Sequence, residues 1–227
     1  MWGWDPQPEW AQLLPPLMGA WSKKELGWAM VQNINGNVYH YLLRSCVSDV
    51  IWEIHHNMQE GAEYFLLELR YPCGFDVGMD HPLDWLKDRG GLAIWHIDET
   101  GGVDQSSGYP PPRNGQFPQH YRVAVVQGDG LFNLEQREKA HANKGDSSDL
   151  FLNLWGYRTD KAFKIDNSGT YMCDGIGFHP EPNTKKYSTG VELPTDITIS
   201  LDWGYDIWVG ITVVLGGAGD HRGAILP

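Results

Sequence analysis

The sequence predicts a mainly β fold of the α+β kind, an antiparallel or mixed β-sheet domain with long loops and a few short helices. Three observations predict it. Eleven Trp, ten Tyr, 27 Gly and 14 Pro in 227 residues describe an aromatic core in a chain punctuated by turns. Runs of helix-forming residues are few. Several short stretches are either apolar throughout or alternate apolar with polar, the patterns of buried and half-buried strands.

The length suffices for one well-buried domain, expected over residues 18–215 between a lead-in loop at 1–17 and a tail at 216–227. A formal net charge of −12 repels nucleic acid and anionic membrane, so neither is an expected partner, and it is compatible with cation binding. No apolar run reaches the length of a membrane span. No basic segment followed by an apolar one marks a signal peptide at the N-terminus. Cys46, Cys73 and Cys173 are widely spaced and form no CxxC. Three buried thiols are expected, with one disulfide plus a free thiol as the alternative.

Along the chain, the prolines of residues 1–16 forbid a long helix. Within the stretch Met18 to Trp28 a short helix is expected, with Ser22 as its cap, Glu25 closing a capping box and Gly27 ending it. Val38 to Leu43 and Asp49 to His55 read as strands, and His55-His56 as a solvated strand end. Glu63 to Arg70 is the strongest strand, too apolar for an exposed edge. Gly74 to Arg89 is a loop holding Asp76, Asp80, His81, Asp84 and Asp88.

Gly91 to Glu99 is a buried strand ending in polar residues, a common setting for a site. Alternation places Leu92, Ile94, His96 and Asp98 on one face and Ala93, Trp95 and Ile97 on the other. A long Gly/Pro/Ser-rich loop spans Thr100 to Gln119. Tyr121 to Val126 is another strand, and Leu131 to Ala142 a short helix. Thr195 to Leu201 and Ile207 to Leu215 are β-branched and strand-like.

The order of the blocks carries a resemblance. Ala20-Trp21-Ser22-Lys23 with Leu26-Gly27-Trp28, Glu63-Tyr64-Phe65-Leu66-Leu67-Glu68, and Gly91 to Glu99 come first. His120 to Val125 with Asp129-Gly130, and Gly145-Asp146 with Asp149-Leu150-Phe151, follow. Pro182-Asn183-Thr184 with Tyr187-Ser188 closes the series. Together they resemble the M6 (immune inhibitor A-like) metallopeptidases, over about residues 18 to 200.

That family consists of secreted zinc endopeptidases whose HExxH sits on a helix. Histidines at i and i+4 share one helix face and bind the zinc, and the Glu activates its water. Nine histidines here include no i, i+4 pair and no HExxH. In the family that motif lies upstream of the Ala-Trp-Ser-Lys block. The chain therefore resembles the portion downstream of the active-site helix, with the zinc ligands outside it. The resemblance implies an extracellular setting and, as partner, a protein substrate or the upstream catalytic half. It places Met18 about where such enzymes carry a methionine-containing turn beneath the zinc. At Leu69 and Tyr71 the sequence departs from the Asn-Arg-Gln that usually follows the Glu at position 68, which bears on any hydrogen-bond network from Glu68.

Without zinc ligands, the residues favour a hard cation. Asp129, Asn143, Asp146 and Asp149 offer oxygens on glycine-punctuated loops, the groups calcium takes. The resemblance adds calcium as a stabilising ion. The same residues also make Asx-turns and caps. His96, Asp98, Glu99, Glu68 and Met18 are expected in structural or supporting positions, and no residue is assigned as catalytic. Ser22, Ser45 and Ser188 lie in no nucleophile elbow. An acid/base pair of Glu68 with Asp98 on neighbouring strands is one further reading. Two functions follow: the downstream part of an M6-like metalloendopeptidase, inactive alone, or a non-catalytic, calcium-stabilised β module that binds protein or carbohydrate.

Overall fold

The structure, a computed structural model, describes residues 17–58, 62–71, 73–79, 90–101, 122–128, 149–151, 163–172, 178–179, 184–185, 193–205 and 208–216. Within them the fold is mainly β. One α-helix, α1 (Ala20–Glu25), precedes strands β1 (Met30–Ile34), β2 (Val38–Leu43), β3 (Val50–Ile54), β4 (Glu63–Arg70), β5 (Gly91–Asp98) and β6 (Val123–Val125). Then come β7 (Phe163–Asp166), β8 (Gly169–Met172), β9 (Phe178–His179), β10 (Ile197–Tyr205) and β11 (Trp208–Leu215). A 3₁₀ turn covers Gly74–Met79. No helix among the described residues is long and apolar enough to cross a membrane.

The strands form two sheets, ordered β1-β3-β4-β5-β6 and β2-β11-β10-β7-β8-β9. The first is antiparallel except for the parallel β1–β3 pair, and the second is antiparallel throughout. Strand β5 lies between β4 and β6. β4 and β5 pair along their whole lengths, from Glu63 opposite Asp98 to Arg70 opposite Gly91. Every residue of both strands is buried.

Burial on both faces has a simple cause in the alternation. Phe65, Leu67 and Leu69 of β4 and Leu92 and Ile94 of β5 point into the core between the sheets. There they meet Leu42, Ile165, Ile199, Leu201, Ile211 and Val213 from the second sheet. Tyr64, Leu66, Ala93, Trp95 and Ile97 point the other way, into a second cluster that α1 covers through Ala20 and Trp21. The helix lies close against the sheet: a Cβ at Gly19 would meet the Trp95 ring at 2.8 Å.

The start of α1 differs from expectation. Ser22 lies inside the helix, and Gly19 is the capping residue without a side-chain hydrogen bond of its own. The first helical amide, Ala20 N, donates instead to Glu68 Oε1 on β4 at 3.1 Å, so a remote carboxylate does what a local hydroxyl was expected to do. Gly27, with φ +68°, ends the helix as expected. The thiol expectation is also corrected. Cys46 and Cys73 form a disulfide, Cα–Cα 5.8 Å, because β2 ends beside β4, where Arg44 bridges Leu69. Cys173, most of the 100–119 loop, the helix at 131–142, and most of the lead-in and the tail lie outside the described residues.

Candidate functional site

The polar groups of the first sheet gather beneath α1. Glu68 is at their centre and is 1 % exposed. Even-numbered residues of β4 face the helix, so Glu68 and Arg70 sit side by side two residues apart on that face. Glu68 Oε1 accepts hydrogen bonds from Ala20 N (3.1 Å), Trp95 Nε1 (3.0 Å) and Arg70 Nη1 (3.2 Å). Oε2 accepts the Lys23 ammonium, whose side chain is 7 % exposed. The departures at Leu69 and Tyr71 therefore leave a network from Glu68 in place. Leu69 points into the other core, and the arginine at position 70 supplies the guanidinium.

Arg70 continues the network. Nε and Nη2 donate to the two oxygens of Asp76 in a bidentate pair. Nη2 and Nη1 also donate to the carbonyls of Leu17 and Met18 at 2.9 and 3.4 Å. Asp76 Oδ1 in turn accepts Leu17 N at 2.8 Å. The chain entering α1 is thus tied down through its backbone. Met18 is placed by its carbonyl, and its side chain is 45 % exposed.

Burial alone would push the Glu68 carboxyl up. The Arg70 guanidinium and the Lys23 ammonium override it and hold the carboxyl below its ordinary value. Burial likewise disfavours the Arg70 charge, and the carboxylates of Glu68 and Asp76 override that, raising its pKa further.

A second arm runs along the same face. Glu99 Oε1 accepts Trp21 Nε1 at 3.1 Å and the Tyr64 hydroxyl at 2.7 Å. Burial, then the Glu99 carboxylate, pushes the Tyr64 phenol well above its usual range. The Lys24 ammonium lies 3.9 Å from the Tyr64 ring centroid and pairs with Glu53. Glu53 also pairs with His55 Nε2 at 2.6 Å, so His55 has a carboxylate partner at its strand end. Burial would raise the Glu53 carboxyl, but the hydrogen bonds from His55 and Lys24 lower it.

His96 and Asp98 lie elsewhere. Both are fully buried, on the face of β5 turned toward the second sheet. His96 Nε2 lies 2.7 Å from Glu63 Oε1, and both side chains are 0 % exposed. Asp98 Oδ1 accepts the amide and hydroxyl of Thr100 at 2.8 and 2.6 Å. The acid/base pairing of Glu68 with Asp98 does not form. Glu68 stands opposite Ala93, Asp98 stands opposite Glu63, and the two carboxylates are on opposite faces of the sheet.

Of the four calcium candidates, Asp149 is described and is 0 % exposed; its carbonyl accepts Gly128 N at 3.0 Å. Asp129, Asn143 and Asp146 lie outside the described residues. No cluster of three or more His, Cys, Asp or Glu suited to a metal occurs among the described residues. His96 lies beside Glu63 in the core and His55 beside Glu53 on the other face, so these two histidines share no ligand set.

Sequence reasoning missed Asp76 and Glu63. The signal for Asp76 was an acid six residues beyond a buried arginine, just past a glycine turn. For Glu63 it was an acid heading the most apolar strand. Chemically, the arrangement under α1 holds a helix on a sheet. Both Glu68 oxygens are engaged and shielded, so that carboxylate serves to hold the helix and not to take a substrate proton. Comparison with protein-family models and with curated proteins finds no match.

Proposed function

We propose that the chain is the supporting half of an M6-like zinc metalloendopeptidase, the portion downstream of HExxH, inactive in proteolysis by itself. One observation carries this reading: the blocks of the resemblance meet around β4 and β5. Ala20 and Lys23 of the first block and Trp95 of the third bond Glu68 of the second. Trp21 of the first bonds Glu99 of the third. Ala124 of the fourth pairs with His96. Phe151 of the fifth exchanges backbone hydrogen bonds with Leu92, at 2.6 and 2.9 Å. Short motifs scattered over more than a hundred residues thus form one packed unit. The Cys46–Cys73 disulfide supports an oxidising, extracellular compartment.

The test joins sequence to activity. The reading frame upstream of Met1 is expected to encode HExxH, and the joined polypeptide to cleave casein in a chelator-sensitive way. Residues 1–227 alone, supplied with zinc, are expected to show no such turnover. Chelator-sensitive cleavage by 1–227 alone would overturn the inactive reading, and a joined polypeptide that binds no zinc would overturn the family.

Calcium belongs to the same proposal, with Asp149 and the oxygens of Asp129, Asn143 and Asp146 as its ligands. A buried aspartate beside the Gly128 turn suits a cation bound at a loop junction. Saturation at 100 times the dissociation constant adds about 2.7 kcal/mol. The melting midpoint is therefore expected to rise with calcium and to fall with EDTA. A midpoint indifferent to both would sink the calcium assignment.

A further inference from the structure

Three residues, Asn35, Gly36 and Asn37, connect β1 at the edge of one sheet with β2 at the edge of the other. All three are exposed. A Cβ at Gly36 would meet nothing within 4 Å, and the Gly36 amide is engaged in no hydrogen bond among the described residues. We propose that Asn35 is a site of spontaneous covalent self-modification, cyclising onto the Gly36 amide and hydrolysing to aspartate and isoaspartate.

The step needs only water and a solvent base. The base takes the Gly36 amide proton, and the nitrogen attacks Asn35 Cγ. The Cγ–Nδ2 bond breaks, and the departing nitrogen takes a proton and leaves as ammonia, closing a five-membered succinimide. Water then adds to either ring carbonyl. Opening at Cγ restores the ordinary chain with Asp at position 35. Opening at the main-chain carbonyl routes the chain through the side chain as isoaspartate, one methylene longer. Nothing is oxidised or reduced.

The surroundings select Asn35 over its neighbours. Asn33 and Asn37 precede Ile34 and Val38, whose branched side chains crowd the attacking nitrogen. The side chain of Asn37 is moreover held, its Oδ1 accepting Leu215 N at 2.8 Å. Asn167 is pinned as well: Nδ2 donates to Asp196 at 3.1 Å and Oδ1 accepts Thr195 N at 2.9 Å. The chain's other Asn-Gly pair, Asn114-Gly115, lies outside the described residues. Among the described residues, only Asn35 combines exposure, a following glycine and no such tether. Its consequence is local. The added methylene falls in the short connection between the sheets, beside the Asn37 contact that anchors the end of β11.

The experiment incubates the full chain in mildly alkaline buffer and follows the tryptic peptide 25–44, which contains Asn33, Asn35 and Asn37. Amide-to-acid conversion is expected at Asn35 first, split between isoaspartate and aspartate, with a rate that rises with pH. Gly36→Ala, which the open space accommodates, should slow it by roughly an order of magnitude by shielding the nitrogen. Asn35→Gln should suppress it independently. The isoaspartate form should melt below Asn35→Asp, which carries the charge without the methylene. Conversion at Asn35 no faster than at Asn33 and Asn37, or a rate untouched by both variants, would overturn the proposal.

Discussion

Replacing Glu68 with Leu should lower the stability of the chain by about 3–5 kcal/mol, because it leaves charged groups buried without their partner. Lys23 and Arg70 have side chains 7 % and 4 % exposed. Arg70 keeps Asp76, but Lys23 loses its carboxylate, and the amides of Ala20 and the Trp95 indole lose their acceptor. Glu68→Gln should cost less, since its carbonyl oxygen can still accept from Ala20 and Trp95. Denaturant titration of both variants measures the difference. A Glu68→Leu loss within about 0.5 kcal/mol, the range of an ordinary surface change, would show that α1 is held by its apolar contacts alone.

The same carboxylate sets a pH dependence. Glu68 titrates below its ordinary value of 4.5 in the native chain, so the unfolded chain takes up its proton first as the pH drops. Its contribution is whole above about 4.5 and drains as the pH falls from there through the lowered native value. Glu68→Gln should therefore flatten the acid limb of the stability curve over that window and leave its shape near neutrality unchanged. An acid limb of the same steepness in both proteins would assign acid unfolding to other groups.

How legible this was in the sequence depended on the side of the chain a residue faced. β4 and the β5 run were legible because two-sided burial writes an apolar stretch with few alternatives, whereas β2, largely exposed, was legible from its aromatic and β-branched residues. β1 was not, because it is an edge strand in which Met30, Gln32 and Asn33 face solvent and only Ile34 is fully buried. The β7–β8 hairpin, turning at Asn167-Ser168, carried a two-residue turn signal that went unread beside the neighbouring Gly/Pro turns. The polar site was half legible. Alternation places His96 with Asp98 on one face of β5 from spacing alone, whereas the separation of Glu68 from Asp98 came only with the pairing of β4 and β5. What spacing could not supply was register: Glu63 reaches His96 and Arg70 reaches Asp76 only because particular strands and turns lie together. The remote capping of α1 by Glu68 was illegible for the same reason, being a contact 48 residues long.

Removing the disulfide, by Cys46→Ser with Cys73→Ser or by reduction, should cost about 3–4 kcal/mol, as expected for cross-linking positions 27 residues apart. Part of that loss should come from the site beneath α1. Cys46 lies in the turn after β2, in the second sheet, and Cys73 opens the turn after β4, in the first. The staple thus joins the two sheets where Ser45 N donates to Leu69 O at 2.8 Å. It also anchors the 3₁₀ turn: Asp76 N donates to Cys73 O at 3.0 Å, while the Asp76 carboxylate holds Arg70. Ordering Asp76 is then cheaper with the disulfide in place, so the two should be energetically coupled. Asp76→Ala is expected to destabilise the oxidised protein more than the reduced one, by more than the roughly 0.5 kcal/mol within which independent sites add. A double-mutant cycle by denaturant titration reads this directly. Additive losses would mean that the disulfide joins the sheets without bracing the Arg70–Asp76 pair, and the network around Glu68 would then stand independently of the covalent link.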